Sequence, residues 1–371
     1  MPSESGWLVE KSEVVSEQAI VATMHPHATR AGIEALERGG NAVDAAVAAG
    51  FAIGVVEPFN SGLGGIAQLV YRDGRSGRSS VIDGTSTLPR SVRPDSFRLA
   101  EGGGTAGMYG WPAVVDDANN TGYRSPIVPG MPACLCEAQA RFGRLSRAEV
   151  LAPAIRLAEE GFEVDWYVSL VLAGEQARLG RFPASRGAYY KPDGTVYAAP
   201  RFGAGGDWLR QPELARSLRL IAEQGAEAVY RGEIARLIAA DMAANGGLID
   251  ERDLADYAVR VWEPGLIGEY RGHTTIQAPE NTGAPTVLEA LNILEGFDLA
   301  ALGHNSLAAL HLIAEALRRA FGDRFAHLGD PAFAPIPLDG LTSKEYAARR
   351  RAEIDPARAT PEAGAGDPWA L

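Results

Sequence analysis

Glu37-Arg-Gly-Gly-Asn-Ala-Val-Asp-Ala-Ala-Val-Ala-Ala-Gly-Phe-Ala-Ile-Gly-Val-Val-Glu-Pro58 is the stretch on which the reading of the fold turns. Two helices meet at its glycine pair. Gly39 and Gly40 can take the positive φ that ends a helix. Asn41 then serves as N-cap of the next helix, with Asp44 in the first turn, where the helix dipole favours a carboxylate. From Ala42 to Val56 the only charge is Asp44, and small residues line most faces. A helix apolar on all sides is a buried one, and small side chains let neighbouring backbones come close. Downstream lie Asn60-Ser-Gly-Leu-Gly-Gly65 and the strand-like Ile66-Ala-Gln-Leu-Val-Tyr71.

Working outward, the chain has 371 residues, 46% hydrophobic and 22% charged, as a soluble globular protein does. That length exceeds the usual domain but still allows one large domain spanning residues 1–371. A net charge of −12, with lysine only at positions 11, 191 and 344, argues against a nucleic-acid partner. Met1 to Glu10 has neither the basic nor the apolar region of a secretory leader. The apolar run Ala42–Val56 is shorter than the roughly 20 residues that span a bilayer. No membrane partner is expected, and a cytoplasmic location is the expectation.

Cys134 and Cys136 stand at i and i+2 of a helical segment, on different faces, and read as buried, inert thiols. The six histidines form no ligand pattern, and His304 and His311 are too far apart for a zinc helix. The sequence implies no metal and no cofactor.

Along the chain, Ala19–Thr23 reads as a short buried strand and His25–Arg38 as an amphipathic helix. Val70–Arg75 and Ser79–Asp83 read as strands joined by the Asp73-Gly74 turn. Residues 102–132 form an insertion rich in Gly, Pro, Asn and aromatics, including Tyr109, Trp111, Asn119, Asn120, Tyr123 and Arg124. Helical periodicity follows over Met131–Phe142, Ser146–Glu160, Gln211–Gln224 and Glu227–Asn245, with Ser146 and Glu149 forming a capping box. Leu254–Trp262 and Gly265–Ala278 read as extended, Pro285–Glu295 and Ser306–Asp323 as helical, and residues 355–371 as a flexible tail. No nucleophile elbow, zinc-protease helix or Walker loop is present. The Asn60–Gly65 glycines precede a strand rather than open a helix, so they read as close backbone packing and not as a phosphate cradle.

The order of segments resembles the large subunit of γ-glutamyltranspeptidases, which are N-terminal-nucleophile hydrolases. The matching pieces include Val21-Ala-Thr-Met-His-Pro26, Gly39-Gly-Asn-Ala-Val-Asp-Ala-Ala46, Gly62-Leu-Gly-Gly65 and Val128-Pro-Gly130. Further on come Ala152-Pro-Ala-Ile-Arg-Leu-Ala-Glu-Glu-Gly-Phe162, Asn245-Gly-Gly-Leu-Ile249, Tyr270-Arg-Gly272 and Leu328-Gly-Asp-Pro331. The resemblance implies an α+β, four-layer αββα fold shared with a small subunit cut from the same precursor. It also implies a threonine at the start of that subunit, whose hydroxyl attacks an amide carbonyl while its own amine acts as base. No catalytic residue then lies in this chain, and residues 355–371 lead to the processing site. The implied partners are the small subunit and a small-molecule amide, with room for a dimer of heterodimers.

One departure bears on the substrate. The family carries an arginine two residues after the aspartate of Asp83-Gly-Thr-Ser-Thr-Leu-Pro89, where it grips the α-carboxylate of the γ-glutamyl group; here that place holds Thr85. A hydroxyl replaces a bidentate cationic fork. The resemblance therefore implies an amidohydrolase or acyltransferase for a small acidic amide other than glutathione, such as oxamate-like compounds, other γ-glutamyl amides or glutaryl-cephalosporins. A true γ-glutamyl transferase and a non-catalytic scaffold are the alternatives. Thr85 and Ser86 at the strand end, and Tyr123, Arg124 and Arg90 as replacement grips, are the candidate substrate-binding residues.

Overall fold

The helices flanking Gly39-Gly40 span Pro26–Glu37 and Ala42–Val56 in the computed structural model, which describes residues 13–102, 105–106, 110–279 and 282–370. Gly39 has φ 88°. Asn41 accepts from the amides of Val43 and Asp44, while the Asp44 carboxylate accepts from the Asn41 amide, closing a capping box. Most of Ala42–Val56 is buried, with Val47, Ala48, Phe51, Ala52, Val55 and Val56 fully enclosed. Small residues on the facing helix are what allow this. A Cβ on Gly32 would stand 2.8 Å from Val21 Cγ1 and 3.0 Å from the Ala45 carbonyl. The long apolar helix also packs on Met131–Phe142 and Arg147–Glu160, and the latter packs in turn on Pro212–Gln224.

These helices belong to one compact unit, made of residues up to Ile66 together with Ser86–Tyr257; Ala67–Thr85 and Ala258–Leu371 form a second. The second unit holds a three-stranded antiparallel sheet, with Ser79–Gly84 between Ala67–Arg72 and Arg260–Trp262. The central strand is buried throughout, and its register sets Asp83 opposite Gln68 on one side and Arg260 on the other. A separate hairpin pairs Leu266–Tyr270 with His273–Gln277. Helices Ala284–Leu294, Leu307–His327 and Lys344–Ala352 enclose a core of Ile293, Leu312, Ala316 and Ala347.

Several expectations change in the structure. Ala19–Thr23 is not part of any ladder among the described residues, although its neighbours Ala28 and Ala31 are buried. The single helix expected over Glu227–Asn245 is two, Glu227–Tyr230 and Glu233–Ala244, interrupted at Arg231-Gly232. A side chain at Gly232 would crowd the Glu227 and Ala228 carbonyls. The extended Leu254–Trp262 begins inside a capped helical turn, Glu251–Ala255, and only Arg260–Trp262 is strand. Trp166–Leu179 and Lys344–Ala352 are helices that the periodicity did not single out. Residues 355–370, expected to be a flexible tail, lack regular structure as far as Asp367 but are hydrogen-bonded to the helices beside them. Cys134 and Cys136 are both buried and not joined in a disulfide, and burial pushes the Cys136 thiol up to about 11.

Candidate functional site

The strand end Asp83-Gly84-Thr85 is ordered by its aspartate. Asp83 is buried, and its Oδ1 accepts from the Thr85 amide at 3.1 Å, the Thr85 hydroxyl at 2.5 Å and Gln68 Nε2 at 3.0 Å. The Thr85 hydroxyl therefore spends its proton on Asp83. Its oxygen in turn accepts from Gln68 Nε2 at 3.4 Å. The Thr85 side chain itself offers a ligand only a half-buried oxygen and a methyl group, not a cationic donor. Gln68 and Arg260 were missed by sequence reading. Cross-strand partners share a face of a sheet, so Arg260 is the cation that the ladder brings beside Asp83, and it also lies 3.7 Å from Asp330. A three-residue strand after a helical turn gave too short an alternation to reveal it.

The other candidates lie in the first unit. Ser86 is half-buried, and the next residue is bonded by its carbonyl to the Val128 amide at 3.0 Å, at the end of the insertion. Arg90 is committed to acidic partners. Its amide donates to Asp253 Oδ1 at 2.9 Å, and its guanidinium donates to the Arg252 carbonyl at 2.9 Å and pairs with Asp256. Arg124 is exposed; its guanidinium donates to the Ser96 carbonyl at 2.5 Å and lies over the Phe97 ring, 5.5 Å from the centroid. Tyr123 meets Phe182 edge to face at 6.2 Å and, with Phe59, Tyr167 and Asn60, lines a cleft of about 650 Å³. Arg90 and Arg124 do not line this cleft. Trp111 is exposed, and Tyr109 lies outside the described residues.

The glycine loop has a structural job. The Gly65 carbonyl accepts from the amides of Gly130 and Met131 at 2.9 and 3.0 Å, seating the start of the Met131–Phe142 helix. Close backbone packing explains Gly62 as well, since a Cβ there would meet the Pro58 carbonyl at 2.8 Å, whereas Gly64 faces open space. Nearby, His25 caps its helix by accepting from the His27 amide through Nδ1 at 3.2 Å. Burial holds its pKa below the usual histidine value, in keeping with a neutral ring that uses a lone pair for capping. Burial, and then the neighbouring Asp165, pushes the Glu57 carboxyl up. Among the described residues no group of three His, Cys, Asp or Glu side chains is placed to hold a metal ion.

The sequence profile of the gamma-glutamyltranspeptidase family matches residues 28–370. The chain belongs to the γ-glutamyltranspeptidase family. The Acylase ACY 1 proenzyme of Pseudomonas sp. (strain V22) is 41% identical over 358 residues, covering 95% of this chain and 61% of that protein. The Glutathione hydrolase proenzyme of Pseudomonas sp. (strain A14) is 34% identical over 359 residues, covering 94% of this chain and 58% of that protein. Among solved structures, the Helicobacter pylori gamma-glutamyltranspeptidase superimposes with a TM-score of 0.84 at 31% identity, over 95% of both chains. The fold is thus of the γ-glutamyltranspeptidase type, with mixed α and β content. The chain spans about three fifths of the curated relatives it matches, 61% and 58% of these two.

Proposed function

We propose that this chain is the large subunit of a self-cleaving amide hydrolase or acyltransferase, whose substrate is a small acidic amide other than glutathione. Its chemistry runs through a threonine at the start of a small subunit from the same precursor. The threonine Oγ attacks the amide carbonyl, and the threonine amine takes the hydroxyl proton and passes it to the leaving amine. Water then hydrolyses the resulting ester, or an acceptor amine takes the acyl group. The full αββα sandwich, one domain built by both subunits, is part of this proposal. The unpaired Ala19–Thr23 segment and the exposed Val70 of the strand Ala67–Arg72 are in keeping with strands and side chains arriving from a partner.

The observation that carries the substrate reading is Thr85. Its hydroxyl is held by Asp83 at 2.5 Å where the family's arginine is expected, so the charge-assisted grip on an α-carboxylate is absent. A hydrogen bond to a charged group contributes about 1.5–3 kcal/mol. Restoring the fork should therefore show. In the two-chain protein, Thr85→Arg should raise kcat/KM for γ-glutamyl-p-nitroanilide by roughly 10- to 100-fold. The same assay set, run with γ-glutamyl, oxamyl and glutaryl amides, tests the wild type. Turnover of the γ-glutamyl substrate at a rate typical of enzymes, with no gain from Thr85→Arg, would assign glutathione hydrolysis instead, the reading that the 34%-identical glutathione hydrolase favours. A precursor that never splits and turns over none of the panel would leave only the scaffold.

A further inference from the structure

Residues 355–370 run irregularly along the helices Leu307–His327 and Lys344–Ala352, and they are fastened along their length. The Asp355 carbonyl lies 2.8 Å from His311 Nε2. Thr360 is held by its hydroxyl, its amide and its carbonyl. Its hydroxyl donates to Glu315 Oε2 at 2.6 Å, its amide donates to Glu315 Oε1 at 3.2 Å, and its carbonyl accepts from Arg318 at 2.5 Å. Glu315 is itself buried and paired with the buried Arg319 at 2.7 Å. Further on, the Gly364 carbonyl accepts from Arg350 at 2.6 Å and the Gly366 amide donates to the buried Asp323 at 2.5 Å. The Gly366 carbonyl lies 2.9 Å from His327 Nε2, and Pro368 is buried.

The strap fits too closely to be an accident of collapse. A Cβ on Gly322 would come within 3.2 Å of the carbonyls of Ala363 and Gly364. A Cβ on Gly340 would overlap the Pro368 carbonyl, and one on Gly366 would overlap the Tyr346 hydroxyl. Tyr346 cannot easily withdraw, because its hydroxyl donates to Asp323 at 2.9 Å. Most of these fastenings use a carbonyl or amide of the strap and a charged side chain that is itself braced. Holding so many backbone atoms of an irregular segment costs conformational entropy that these bonds must offset.

We infer that this clasp is a positioning device for self-cleavage: by fixing Thr360 to Pro368 it presents the bond further along the chain to the threonine that cuts it. The inference rests on the reading of the protein as a self-cleaving precursor. In that step the threonine Oγ attacks the carbonyl carbon of the preceding residue. The C–N bond breaks as the nitrogen takes up the hydroxyl proton, and water then hydrolyses the ester to a carboxylic acid and a free threonine. The step is intramolecular and needs no outside reactant but water. Its rate depends on how well the strap holds the carbonyl within reach, and a displacement of about 1 Å can cost on the order of 100-fold.

The test follows the cutting of newly synthesised full-length precursor on denaturing gels. Gly366→Ala should lengthen the half-time on the order of 100-fold, and the milder Thr360→Val, which removes one hydroxyl at the strap's edge, should lengthen it less. Adding Tyr346→Phe to Gly366→Ala removes the clashing hydroxyl and should recover part of the lost rate. The two subunits made as separate chains, with the threonine already free, should show the same amide turnover with or without Gly366→Ala. Unslowed cutting in both Gly366→Ala and Thr360→Val would overturn the clasp alone, as would an equal loss of turnover in the separately made subunits. A wild-type precursor that never cuts would overturn both the clasp and the reading beneath it.

Discussion

Asp44 and Asp323 are both fully buried carboxylates, one in each compact unit, and they are satisfied in opposite ways. Among the described residues Asp44 accepts only from main-chain amides: Asn41 at 2.8 Å, Arg144 at 2.9 Å and Leu145 at 3.3 Å. Asp323 draws on Tyr346 at 2.9 Å, the Arg350 guanidinium at 3.1 Å and the strap amide of Gly366 at 2.5 Å. Glu289 adds a carboxyl to this group, and burial, followed by its bond and repulsion with Asp323, pushes its pKa up to about 10. Glu289 thus keeps its proton at neutral pH. Asp44 joins two helices through atoms that every residue possesses. Asp323 depends on the identity of its partners, so it ties the strap to one particular packing of Leu307–His327 against Lys344–Ala352.

If that contrast is right, truncation should cost more at Asp323. Asp323→Ala leaves the buried Tyr346 hydroxyl and the Gly366 amide without their acceptor and strips the buried Arg350 of one of its two carboxylates, Glu353 being the other, a loss of about 3–5 kcal/mol in denaturant unfolding. Asp44→Ala should cost about 1–3 kcal/mol, because Arg144 is exposed and water can reach the amides once the loop opens. Equal losses at the two positions would erase the distinction. The subtlest test concerns pH. Glu289 has a folded-state value of about 10 against an ordinary 4.5, so the unfolded chain releases this proton first. Stability should therefore fall as pH rises between those values and level off above about 10. Glu289→Gln keeps a donor toward Asp323 without the titration and should flatten that slope; an unchanged slope would place the proton elsewhere.

The same contrast explains what could be read in advance. Asn41 with Asp44, and Ser146 with Glu149, are capping boxes closed within four residues, and the structure contains both. The apolar helix Ala42–Val56 was legible for the same reason, since its burial follows from composition alone. The break at Arg231-Gly232 was not, because crowding over Gly232 shows only in three dimensions. At the candidate site, the absence of an arginine at Thr85 was legible. That the Thr85 hydroxyl is spent on Asp83, with Gln68 and Arg260 beside the aspartate, was not. Those neighbours come from strands 15 and 177 residues away by position, Gln68 and Arg260 against Asp83, and local pattern carries no register.

By itself the sequence determined the helix starts at Asn41 and Ser146, the buried apolar helix, the buried thiols and the family, because each depends on near neighbours or on the order of segments. Only the tertiary structure decided that residues 355–370 form a fastened strap and that Arg90 is committed to Asp253 and Asp256. A glycine-, alanine- and proline-rich segment has no periodicity to betray its path. Its order comes from charged side chains on helices that are distant in sequence and converge on it only when the chain is folded.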